Sequence, residues 1–192
     1  MTRCPWLPLQ HPLYVEYHDT EWGVASRDPR YLFECVCLEG AQAGLSWWIV
    51  LQKREHYRQV FHNFQPEKVA TMTDAELEAL TLDPGIIRHR AKISSVRQNA
   101  RAWMALSDPV EWIWSFVEGK PLINSLKTVS GIPTKTAESD ALSKALRKAG
   151  FNFVGSTTLY AFMQAVGMVN DHSIDCFRRN KIKPLPIRQR IR

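Results

Sequence analysis

The stretch GFNFVGSTTLY, residues 150–160, decides the architecture, because it joins two helical segments through a turn of only a few residues. On its N-terminal side SDALSKALRKAG (139–150) opens on Ser and Asp and closes on Gly150, a residue type suited to the left-handed conformation that ends many helices. On its C-terminal side STTLYAFMQAVG (156–167) starts a second helix at Ser156 or Thr157. Phe153, Val154 and Gly155 lie between, so the whole has the form of a helix-hairpin-helix. Such a turn can aim backbone N–H groups and the N-terminus of the following helix at a phosphate. Many helical hairpins turn on an apolar residue and a glycine without binding anything, so a plain tight corner fits the same residues.

Outward from this corner the chain reads as helix almost throughout. RYLFECVCLEGAQAG (30–44) has helical apolar spacing and stops at Gly44, and LSWWIVLQKREHYRQVF (45–61) follows as a long amphipathic helix. In TMTDAELEAL (71–80) Thr73 and Glu76 form a capping-box pattern. DPG (83–85) is a turn signal, after which IIRHRAKISSVRQNARAWMAL (86–106) reads as one helix, and Pro109 suits the first turn of PVEWIWSFVEG (109–119). No sustained strand alternation and no internal repeat is present. The expected class is all-α, with NSLKTVSGIPTKTAES (124–139) as the least regular connection and the best candidate for a mobile one.

With 192 residues, 45% of them hydrophobic, the chain can bury a sizeable core, and one domain over residues 1–177, built of two helical lobes, is expected. No apolar window is long enough for a membrane span, and the polar, proline-broken N-terminus is unlike a signal peptide, which points to the cytoplasm. The formal charge of +6 is concentrated at one end: seven basic residues and no acid fall between Arg178 and Arg192, and without them 18 basic side chains face 19 acidic ones. Residues 178–192 are therefore expected to form a flexible basic tail that adds either nonspecific attraction to phosphates or solubility.

In a cytoplasmic protein four cysteines are thiols or metal ligands. VNDHSIDC (169–176) places His172 and Cys176 four apart, on one face if the segment is helical. Cys4 and His18 near the other end would complete a Cys₂His₂ set of the kind tetrahedral zinc favours, with His11 as a competing ligand. Four protein ligands leave no open position, so such a zinc would be structural and would tie down termini that otherwise fray. Cys35 and Cys37, two apart on an apolar helix, diverge and read as core thiols.

Aromatic residues concentrate in the first quarter, where Trp6, Tyr14, Tyr17, Trp22, Trp47 and Trp48 gather around Glu39. They are either core filling beside a solvated helix end, or a pocket whose flat walls stack a planar ligand while one carboxylate accepts its N–H donors.

RCPW (3–6), YHDTEWG (17–23), LFECVCLEGAQAGLSW (32–47), GIIRHRAKI (85–93), the run from Ser139 to His172 and the closing H-x3-C occur in this order over roughly residues 1–176. Together they resemble the constitutive bacterial 3-methyladenine DNA glycosylases, type I. The resemblance implies a helix-hairpin-helix glycosylase fold with alkylated double-stranded DNA bound across the gap between two helical parts. It implies flipping of 3-methyladenine out of the duplex and hydrolysis of its N-glycosidic bond, the first step of base excision repair.

By the same resemblance Cys4, His18, His172 and Cys176 hold one structural zinc that clamps the termini together. Glu39 becomes the carboxylate of the site, with Tyr14, Tyr17 and Trp47 at base-pocket positions and Trp6 and Trp22 as nearby walls. Phe153, Val154, Gly155 and Ser156 become the hairpin that meets the DNA backbone. Asp171 lies near the position where many hairpin glycosylases keep a catalytic aspartate, but beside His172 it reads rather as support for a zinc ligand. Trp48 adds a tryptophan beside the pocket. No obligate protein partner is implied, and a monomer is expected. Two rivals from other classes are a lesion-binding module without turnover and a small-molecule hydrolase whose zinc keeps an open position.

Overall fold

The computed structural model describes residues 1–128 and 131–181. Among these, the helices are α1 (Pro12–Thr20), α2 (Pro29–Gln42), α3 (Trp47–Val60), α4 (Pro66–Val69), α5 (Asp74–Leu80), α6 (Arg90–Met104), α7 (Pro109–Trp114), α8 (Ala137–Lys148) and α9 (Ser156–Ala165). Four of them, α1, α2, α4 and α7, begin on a proline, whose fixed φ suits the first turn and whose missing N–H would have no helical partner there. Asp28 caps α2 by accepting from the N–H groups of Arg30 and Tyr31 at 2.8 and 3.1 Å. The Thr73–Glu76 capping box opens α5 as expected.

Several elements differ from the sequence reading, and three of them show a local reason. Helix α8 starts before Ser139, because Thr136 and Ser139 form a reciprocal capping box. Helix α6 starts at Arg90 rather than Ile86, since Ile86 is buried in the preceding turn, the Ile87 N–H bonds Tyr57 Oη at 3.0 Å and the His89 ring caps the helix by accepting from the Lys92 N–H. Helix α1 has no strong apolar periodicity and buries only Tyr17 and His18, so nothing in the pattern announced it.

Helix α2 is the centre of the molecule. Every residue from Leu32 to Ala41 is buried, and α3, α6 and α9 pack against it. Its last turn is held from α6, where Lys92 Nζ donates to the carbonyls of Ala41 and Ala43 at 2.9 and 2.6 Å, groups a helix end leaves without partners.

Helices α8 and α9 pack on each other and form the two arms of the hairpin. Gly150 takes φ 95°, which ends α8 without the clash a side chain would bring. In the turn itself it is Phe153, not Gly155, that adopts the left-handed conformation, with φ 56°, at a cost of about 1 kcal/mol. Buried Asn99 on α6 locks the turn with both ends of its amide: Oδ1 accepts from the Asn152 N–H at 2.8 Å and Nδ2 donates to the Asn152 carbonyl at 3.1 Å. The turn rests on α2 at Gly40, where a Cβ would stand 3.2 Å from Phe153 Cβ.

The helical class has one addition, a parallel pair of two-residue strands, β1 (Leu122–Ile123) and β2 (Val169–Asn170), in the register Leu122–Val169 and Ile123–Asn170. Two residues are too few for alternation to be visible in a sequence. The pair leads the chain from α9 back toward the N-terminal segment, where the Phe177 N–H bonds the Thr2 carbonyl at 3.0 Å. The first residues of the expected tail are built into the fold: the Arg179 guanidinium donates to the carbonyls of Asn124 and His172 and to Ser125 Oγ. Residues 182–192 of that tail, and residues 129–130 of the irregular 124–139 connection, lie outside the described residues.

Candidate active site and metal centre

Four aromatic rings from the N-terminal segment and one from α3 enclose a cavity of about 200 Å³ lined by Trp6, Tyr14, Tyr17, Trp22 and Trp47. The rings brace one another: Trp6 meets Trp22 edge to face, at 4.8 Å and 72°, and Tyr17 lies tilted against Trp47, at 5.3 Å and 41°. Helix α2 brings Glu39 to the cavity, and Gln42, Ile132, Ala161 and Gln164 complete the lining. Those last four were not legible in the sequence, where a glutamine or alanine on a helix face carries no sign of what it faces.

Glu39 is only 4% exposed, and its Oε2 has no hydrogen-bond partner among the described residues. Burial pushes its carboxyl up to about 8, against the pull of the nearby Arg54 guanidinium. The indole N–H groups of Trp6 and Trp47 are likewise buried without a partner. Leaving such groups unpaired costs about 1–3 kcal/mol each, which points to a site whose polar partners arrive with a ligand. The Tyr14 phenol is pushed up to about 12 by burial and then by the Glu39 charge, so both tyrosines of the pocket stand as neutral rings near neutral pH.

Trp48 does not enter the core. It is half-buried and stands between His11 and Tyr14, 4.3 Å from the first ring at 23° and 6.0 Å from the second at 7°. His11, the rival ligand, is thereby a member of a ring stack. Cys35 and Cys37 are buried in α2, with both thiols pushed up by desolvation.

Behind Trp6 and Trp22 the two ends of the chain meet. Cys4, His18, His172 and Cys176 are all buried, and their donor atoms lie within 4.8 Å of one another. Cys4 Sγ and Cys176 Sγ each lie 3.4 Å from His172 Nδ1, and Cys176 Sγ lies 3.6 Å from His18 Nε2. A tetrahedral zinc with ordinary Zn–S and Zn–N bonds requires S···N separations of about 3.5 Å. Both imidazoles present the right nitrogen, because the other is held: His18 Nδ1 donates to Asp19 Oδ1 at 2.8 Å, and His172 Nε2 donates to the Trp22 carbonyl at 3.0 Å. Asp19 is fixed in turn by Arg3, which donates to both of its oxygens. Without a cation, burial pushes the Cys4 thiol up to about 12 and the His172 imidazole down to about 4, so both are neutral near pH 7 and a metal would displace the Cys4 proton on entering. The cluster is able to hold a metal ion. It also touches the cavity wall: the Trp22 ring lies 4.7 Å from His172, and Trp6 lies 5.5 Å from His18.

At the hairpin, Val154 is buried and can offer only its backbone, whereas Phe153, Gly155 and Ser156 are half-buried. Ser156 Oγ is engaged by Ser139 Oγ at 2.8 Å, and the first turn of α9 has no acidic residue and no side-chain cap. The Phe153 ring meets His89 edge-on at 6.1 Å. Asp171 is buried but contacts none of the four metal-type donors; its oxygens accept from Asn124, Tyr160 and Gln164.

The family model described as methyladenine glycosylase matches residues 6–179. The chain is 54% identical over 180 residues to DNA-3-methyladenine glycosylase 1 of Escherichia coli (strain K12), covering 92% of this chain and 96% of that one. A crystal structure of 3-methyladenine DNA glycosylase I superposes with a TM-score of 0.90 at 53% identity, over 92% of this chain and 98% of the other. A second, of a variant 3-methyladenine DNA glycosylase I in complex with 3-methyladenine, gives a TM-score of 0.90 at 34% identity over 95% and 100% of the two chains. With a family model spanning nearly the whole described chain and relatives this similar over almost their full length, the protein belongs to the methyladenine glycosylase family.

Proposed function

We propose that the protein is a hydrolase of N-glycosidic bonds that flips 3-methyladenine out of alkylated duplex DNA and releases it, initiating base excision repair. The observation that carries this reading is the Glu39 carboxylate, buried and unpartnered inside a cage of five aromatic rings. The activity named for the relatives agrees with it.

The chemistry asks little of an acid or base. Methylation at N3 gives the adenine a positive charge, so it leaves as a neutral molecule without being protonated. The protein must extrude the nucleotide, stack the base and recognise its edge, and stacking on aromatic rings is worth about 1–3 kcal/mol per base, comparable to the cost of unstacking. Glu39, uneasy as an anion in the empty pocket, becomes the natural counter-ion once a cationic base enters. Ionised, it accepts from the amino group and stabilises positive charge as the glycosidic bond lengthens.

Cys4, His18, His172 and Cys176 would hold one zinc, with all four positions taken by protein, so its contribution is to fasten the chain ends and the tryptophans they carry. The 150–156 turn and the uncapped start of α9 serve as a helix-hairpin-helix contact to the DNA backbone, Phe153, Val154, Gly155 and Ser156 offering backbone N–H groups to phosphates. Residues 1–177 act as one domain of two helical lobes, as a monomer, with the start of the basic tail tied to it through Arg179. The work is done in the cytoplasm, on the nucleoid. No helix among the described residues is long and apolar enough to cross a membrane.

The test is base release from methylated duplex DNA, resolved by chromatography, for the wild type beside Glu39→Ala and Glu39→Gln. Selective release of 3-methyladenine, weakened by both substitutions, is the expected result. Tight binding to alkylated duplex with no base released would make the protein a lesion-binding module instead.

A further inference from the structure

Gln164 on α9 lines the cavity together with Glu39 and the aromatic walls. Its side chain is tethered: Nε2 donates to Asp171 Oδ2 at 2.8 Å. Asp171 is itself only 1% exposed, and it also accepts from Tyr160 Oη at 2.7 Å and from Asn124 Nδ2 at 2.7 Å. A carboxylate accepts and does not donate, so it can hold the nitrogen of an amide but not the oxygen. The orientation of Gln164 therefore follows from chemistry: its NH₂ faces Asp171, and its Oε1 is turned the other way. No described residue donates to that oxygen, which leaves it as the group Gln164 offers to the cavity.

We infer that Gln164 is a second hydrogen-bond acceptor for the extruded base, and that Asp171 is the positioning residue that keeps it one. The inference rests on the proposed glycosylase activity and adds a determinant of which base is accepted. Glu39 and Gln164 come from α2 and α9, helices packed against each other, and both face one cavity. An exocyclic amino group carries two N–H bonds, and two acceptors satisfy both. A base with a carbonyl at the same carbon would set oxygen against oxygen at both sites and leave buried acceptors unpaired. The pair thus selects a 6-amino purine over a 6-oxo purine, 3-methyladenine over 3-methylguanine. Asp171, near the position of a catalytic aspartate in other hairpin glycosylases, here acts through another side chain.

The experiment uses the full chain and methylated duplex DNA, from which both 3-methylated purines are released and separated by chromatography. The reading is the ratio of kcat/KM for 3-methyladenine to that for 3-methylguanine. Gln164→Leu is expected to lower the ratio about tenfold, the worth of one hydrogen bond. Asp171→Asn should move it in the same direction, because an amide partner lets Gln164 turn over. Asn124→Ala removes the donor to Asp171 Oδ1, the oxygen that does not hold Gln164, so it should lower Tm and leave the ratio unchanged.

If Gln164→Leu lowers release of both bases in proportion, or of neither, the inference is overturned, whatever Asp171→Asn does to folding. A wild type that releases no base at all overturns the glycosylase reading itself.

Discussion

Replacing Glu39 by glutamine should make the protein more stable while crippling the site, and the gain should depend on pH in a way that identifies its cause. The folded protein holds the Glu39 carboxyl at about 8, against an ordinary 4.5. Between those two values the native state keeps a proton that the unfolded chain has lost, so stability falls as pH rises through that window. At pH 7 the penalty is about 3 kcal/mol and at pH 5 it is about 1 kcal/mol, taking 1.36 kcal/mol per tenfold change. An amide does not titrate and carries no such slope. The advantage of Glu39→Gln over wild type should therefore grow by about 2 kcal/mol from pH 5 to pH 7, or roughly 4–8 °C in Tm for a chain of this size. Thermal and denaturant unfolding of both proteins at the two pH values reads this directly. Comparing across pH cancels any pH-independent effect of the amide. A difference in stability that is the same at pH 5 and pH 7 would refute the claim that burial holds Glu39 toward its neutral form.

Cys176→Ala should bind less than one equivalent of zinc by elemental analysis and lower Tm, and it should shift tryptophan fluorescence, since Trp6 and Trp22 pack directly on the cluster; retention of a full equivalent would remove Cys176 from the ligand set. Asn99→Ala removes both hydrogen bonds to the Asn152 backbone, a loss of about 1–3 kcal/mol, and should weaken duplex binding more than binding of free 3-methyladenine, measured by fluorescence titration. Equal losses in both would show that the hairpin does not serve DNA. Deleting residues 182–192 should flatten the dependence of duplex affinity on salt if those basic residues meet phosphates, and an unchanged slope would make them bystanders.

The helices were legible where they carry a start or stop signal within a residue or two, such as Thr73 before Asp74 or Gly150 after Lys148. Helix α1 was not, because its contacts are aromatic and metal-type rather than a periodic apolar face. Glu39 and its rings could be suspected from their density in the first quarter of the chain. Gln42, Ile132 and Gln164 could not, since the cavity they line is made where α2, α9 and the 124–139 connection converge, and sequence spacing is silent on that convergence. Asp171 shows the same limit from the other side. Its neighbour in the chain is a metal-type donor, but its neighbours in space are Tyr160, Gln164 and Asn124. A side chain beside His172 in sequence thus belongs to a different network.

The meeting of the chain ends also sets the order in which the protein comes into being. Trp6, Tyr14, Tyr17 and Trp22 leave the ribosome first, but the donors that anchor them include His172, 168 residues beyond Cys4. Until that last segment emerges, the early aromatics have no clamp behind them and no Gln164 across from them. The pocket is therefore finished only once the segment around His172 has been made. A chain cut short before Gln164 carries the first walls of the site without the side of the cavity that α9 supplies.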